Sequence, residues 1–178
     1  MNFSVFRKNF EPFLVNVQNT VQRTIHISLS ITYSTWFSGI EHLRKQYVSL
    51  QEAIHLKLWY GHGCIINPFM IDEHEMGDFH IPYADETAML DQLVANKPED
   101  AIRLYHTIAE QLFCYTYEEV YYYLSHWTFR IFTVAQLKAP GKKQKIAELF
   151  RQFMADLQQC EIREEVDKIA CNLIYSVC

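Results

Sequence analysis

The sequence predicts an α+β fold: an N-terminal helix and a strand–helix–strand unit, followed by an all-helical bundle. Three observations predict it. Residues Ile25 to Tyr33 alternate without a break, Ile25, Ile27, Leu29, Ile31 and Tyr33 on one face and His26, Ser28, Ser30 and Thr32 on the other, the period of a half-buried strand. A helix-like run from Ser38 to Tyr60 closes on Gly61-His62-Gly63, and Cys64-Ile65-Ile66 is a second, short apolar strand. The long connection between them suits a right-handed crossover and parallel pairing. Beyond Tyr83 the apolar residues recur at helical spacing.

Taken in order, the first helix spans Asn9 to Val21, with Asn9 as cap, Pro12 in the first turn and an apolar stripe of Phe10, Phe13, Leu14, Val17 and Val21. The helix after the strand presents Ile40, Leu43, Tyr47, Leu50, Ile54 and Leu58 on one side, and Gly61 is its left-handed cap. Residues 1–70 thus form one piece. The polar, acidic stretch 71–82 reads as a linker, and 83–160 as a helical bundle.

Within that bundle Tyr83–Val94 is one helix and Pro98-Glu99-Asp100 opens the next, proline and acids being good first-turn residues. Thr116-Tyr117-Glu118-Glu119 has the form of a capping box and starts the longest helix, about Tyr117 to Lys138, apolar nearly all round and therefore central. Ala139-Pro140-Gly141 stops it. Lys143–Leu157 and Glu161–Val177 are two further amphipathic helices.

Composition narrows the function. The 178 residues are 49% hydrophobic and 15% aromatic, with few glycines and prolines, which suits a packed core rather than disorder. Net charge is −5, leaving no basic surplus for a nucleic-acid face; Lys138 to Lys145 is the one dense basic cluster and reads as an inter-helix loop. Five scattered cysteines without a Cys-x-x-Cys fit free thiols in a reducing compartment. A signal peptide and a membrane span are both missing from the pattern, so a cytoplasmic location is expected.

Reactive centres are sparse. The segment Asp72 to His80 gathers ligand-type side chains, and a metal reading would use His74, His80 and one carboxylate, but it lacks recurring ligand spacing and reads as a solvated loop. No P-loop, Gly-x-Ser-x-Gly or dinucleotide fingerprint occurs. No catalytic residue, metal or cofactor is assigned and an enzyme is not expected. Tyr121-Tyr122-Tyr123 with Trp127 and Phe129 is an aromatic run suited to bundle core or to an interaction surface, for which Tyr121, Tyr122 and Trp127 are the candidates.

The stretch Ala53-Ile54-His55-Leu56-Lys57-Leu58-Trp59-Tyr60-Gly61-His62-Gly63-Cys64-Ile65-Ile66 resembles the central, non-DNA-binding domain of AraC-type transcriptional regulators of Gram-positive bacteria, both response regulators and membrane-sensor forms. Asn96 to Ala101, the Thr116 capping box and Ile162 to Ile169 resemble later parts of the same domain. The first third is also similar to the C-terminal half of the GGDEF (diguanylate cyclase) fold, without its signature. The resemblance implies a signal-relay and dimerisation domain, DNA contacted only through a helix-turn-helix module outside these residues, towards which 161–178 would lead. It implies an upstream sensor or kinase and a homodimer. The alternative is a non-catalytic, GGDEF-like module binding a nucleotide or small ligand near Tyr33–Ser38 and Asn67.

Overall fold

The computed structural model describes residues 10–70, 80 and 82–178. The chain divides into two compact units, Met1–Glu73 and His74–Cys178, and the division falls within the stretch 71–82.

The α+β expectation is overturned. Among the described residues strand is confined to β1 (Ile31–Thr32) and β2 (Ile65–Ile66), and the other regular elements are helices and 3₁₀ turns. The pairing is parallel, as the long connection implied, in register Ile31 to Ile65 and Thr32 to Ile66. Two causes shorten it. Helix α1 (Phe10–Ile25) runs four residues past its expected end and takes the start of the alternating run; His26 then turns left-handed, φ 57°. Alternation orients side chains but supplies no ladder partner, and β2 lies between Gly63 and Asn67-Pro68, too short to pair more.

The connecting helix is also broken. It comprises a 3₁₀ turn (Ile40–His42), α2 (Leu43–Ala53), a second 3₁₀ turn (Ile54–Leu56) and α3 (Lys57–Tyr60). Three-residue turns rotate the inward face away from a 3.6 period. Hence Ala53, Leu56 and Leu58 are buried, whereas Ile40, Leu43 and Tyr47 of the expected stripe are exposed. Ala53, Leu56 and Ile66 form a small core with Trp59, Cys64 and Met70 against it.

Gln18 joins α1 to the strand pair: its amide donates to the carbonyls of Leu29 (2.7 Å) and Gly63 (3.0 Å). The Gly63 N–H donates to Ser30 Oγ at 3.1 Å. Gly63 has φ 73°, and a Cβ there would meet Ser28 Oγ at 2.9 Å, so both conformation and space ask for glycine.

Among its described residues the second unit has five α-helices, α4 (Tyr83–Val94), α5 (Pro98–Leu112), α6 (Tyr117–Lys138), α7 (Lys143–Leu157) and α8 (Arg163–Val177), with a 3₁₀ turn (Pro140–Lys142) between α6 and α7. Asn96, φ 59°, closes α4 with Lys97 N–H to Gln92 O (3.0 Å) and Asn96 N–H to Leu93 O (3.2 Å), the paired bonds of a Schellman ending. Thr116 begins α6 as expected: Glu119 N–H donates to Thr116 Oγ1, and the Thr116 N–H donates back to the Glu119 carboxylate at 2.9 Å. On α6, Val120, Tyr123, Leu124, Trp127 and Ile131 are buried. The last helix belongs to the bundle, burying Val166, Ala170, Leu173 and Ile174.

Thr116→Ala removes one half of the cap and is expected to cost ~1 kcal/mol. Gly63→Ala is expected to cost ~1–2 kcal/mol through the left-handed backbone alone. Urea unfolding checks both. With Trp36 and Trp59 replaced by Phe, Trp127 fluorescence reports the second unit, and its midpoint will fall for Thr116→Ala.

Candidate functional site

The three aromatic candidates occupy three different environments. Trp127 is 0% exposed. Its ring lies 5.4 Å from Tyr105 and 6.3 Å from Phe153, and its indole N–H donates to Met89 Sδ at 3.3 Å. It is the meeting point of α4, α5, α6 and α7, and a core residue rather than part of a surface. Tyr121 is half-buried, and its hydroxyl donates to the carbonyls of Leu157 (2.9 Å) and Cys160 (3.3 Å), closing the end of α7. Burial pushes its phenol pKa up, aided by Tyr117. Tyr122 alone is on the surface, 63% exposed. Successive residues on a helix point 100° apart, so a run of aromatics distributes around it.

A charged cluster that the sequence pattern did not signal lies between α4 and α6. Glu86 is fully buried. Arg130 Nη1 is 3.0 Å from one of its carboxylate oxygens, and His126 Nδ1 is 4.0 Å from the other. Neither oxygen receives a well-directed hydrogen bond, nor does the buried Tyr123 hydroxyl find one. Burial raises the Tyr123 pKa, and the Glu86 charge raises it further. The one available signal was Glu86 on the inward face of a helix whose next turn carries Met89 and Leu90. An acidic residue in a first turn reads instead as a dipole partner.

A third feature is polar and mechanical. The Lys138 ammonium at the end of α6 donates to Leu93 O (2.8 Å), Val177 O (3.2 Å) and Asn96 Oδ1. One cation therefore joins the C-terminal ends of α4, α6 and α8, where carbonyl groups accumulate negative potential. Beside it opens a groove of about 1280 Å³, floored by Ala135, Ile146, Leu149 and Val177 and edged by Lys138, Lys142 and Lys145.

The metal reading of Asp72, His74 and their neighbours lies outside the described residues, apart from His80, which is exposed. Among the described residues no cluster of metal-ligand side chains occurs and no helix is long and apolar enough to cross a membrane. Cys64, Cys114, Cys160, Cys171 and Cys178 are all free thiols. Burial raises the Cys160 pKa to about 11, unlike an activated nucleophile. Near the expected ligand end of the strands, Tyr33 packs edge-on against Phe10 and its hydroxyl donates to Glu11.

Searches found no protein-family model, no curated protein and no solved structure that matches this chain.

The Glu86–Arg130 pair gives a sharp expectation. Arg130→Met leaves a buried carboxylate without its cation and will destabilise the second unit by about 3–5 kcal/mol. Glu86→Leu combined with Arg130→Met will recover most of that loss, because apolar groups in place of both partners leave nothing unpaired. Thermal unfolding of the two variants measures the difference.

Proposed function

We propose that the chain is a non-enzymatic regulatory domain: the cytoplasmic signal-relay and dimerisation part of an AraC-type bacterial transcription factor, with DNA bound by a separate helix-turn-helix module. The observation that carries the reading is the Lys138 junction. It couples the end of α8 to the ends of α4 and α6 through one side chain, so a displacement of α8 is felt across the bundle. A relay needs two arrangements separated by a few kcal/mol, and a joint of three polar bonds has that scale. The buried Glu86–Arg130 pair supports the same reading, since a polar contact inside a bundle sets the register of one helix on another.

The test is a fusion. Residues 1–178 are placed before a DNA-binding domain that needs a dimerisation partner, and transcription from a two-half-site promoter is measured. Expected is regulation well above that of the DNA-binding domain alone, with Lys138→Met changing the output several-fold at equal protein level. Output equal to the isolated DNA-binding domain would remove the proposal.

A further inference from the structure

The groove beside Lys138 follows α7 from Lys142 to Gln152, about 15 Å of helix, and the last turns of α6 and α8 form its other walls. Along that length α7 is incompletely covered. The residues it buries, Phe153 and Leu157, both lie in its second half, whereas Ile146 and Leu149 line the groove half-buried. Ala135 and Val177 continue the aliphatic floor from the two neighbouring helices. The rim is basic. Lys142 and Lys145 are exposed, and among the described residues neither has an acidic partner. Glu148, the acidic side chain on the rim, is engaged by Arg151 at 3.3 Å. The first turn of α7 carries no acid and no side-chain cap, so the positive end of its dipole adds to the lysines instead of offsetting them.

We infer that this groove takes an acidic amphipathic helix of a partner protein, its apolar stripe on Ile146, Leu149 and Val177 and its carboxylates against Lys142 and Lys145. Three features select that occupant. An aliphatic floor running beside one helix for about three turns is the surface that a helix-in-groove contact uses. At about 1280 Å³ the open groove exceeds the sites that enclose small molecules, roughly 300–1,000 Å³. Charge then fixes the partner's sign: two lysines without counter-ions on the rim are complementary to carboxylates and repel a basic helix. The partner follows from the groove and its charges, whether or not the chain regulates transcription.

Fluorescence anisotropy tests it on the 178-residue chain. The probe is a labelled helical peptide of about four turns, with leucines at helical spacing on one face and glutamates flanking them. A scrambled peptide of the same composition is the control for charge alone. Expected is saturable binding at least ~10-fold tighter than that of the scrambled peptide. Lys142→Glu combined with Lys145→Glu will weaken it at least ~10-fold and create binding of the peptide that carries lysine in place of glutamate. Both side chains are exposed, so the circular dichroism melt of this variant will match the parent. Amide shifts of the ¹⁵N-labelled chain on adding the acidic peptide will centre on residues 135–152 and 176–178. No binding, equal binding of the scrambled peptide, or binding indifferent to the lysine reversal overturns the inference. So does light scattering that shows a dimer dissolved by the reversal, since the occupant is then a second copy of this chain.

Discussion

The second unit depends on the burial of α6 by its neighbours, and at the centre of that burial is Trp127. Its ring meets Tyr105 of α5 and Phe153 of α7, and its N–H finds the sulfur of Met89 on α4. A large indole with no exposed area contributes more transfer free energy than any other single side chain in the bundle, several kcal/mol on ordinary coefficients. The polar links are arranged around this apolar centre. Tyr105 reaches Asp167 on α8 at 2.8 Å, Tyr121 holds the end of α7, and Lys138 gathers three helix ends. Each fixes a relative position that apolar packing alone leaves loose.

The first unit follows a different economy. Its core is small, and its position-setting contacts are polar: Gln18 to the carbonyls of Leu29, Gly63 and Cys64, and Ser30 to the Gly63 N–H. A two-stranded sheet is marginal in water unless something packs on it. Here Gln18 of α1 holds the pair, while Leu14 is the one buried residue of a helix that leaves Phe13 and Val15 exposed.

Much of the bundle was legible in the sequence. Tyr83–Val94, Pro98 as a helix start, the Thr116 capping box and Lys143–Leu157 all stand where spacing and cap chemistry placed them. These are signals local to a few residues. The failures were of another kind. A strand needs a partner, so the alternation of Ile25–Tyr33 announced a ladder that β2 is too short to complete. A 3₁₀ turn at Ile54–Leu56 shifts phase without any glycine or proline to mark it. The aromatic candidates divided because Tyr121, Tyr122 and Trp127 share a helix but not a side of it. The Glu86 cluster was hard to read because burial of a carboxylate is decided by residues of a neighbouring helix, His126 and Arg130, forty and more residues later in the chain.

That buried pair also bears on how this sequence can drift. Positions 86 and 130 are distant in the chain and adjacent in space, and a domain holds only about 5–15 kcal/mol in reserve. Losing either charge by itself consumes a large share of that reserve, while exchanging both does not. Descendants of this chain are therefore confined to keeping the pair intact or crossing a fitness valley to an apolar replacement, and the two codons behave as one heritable character.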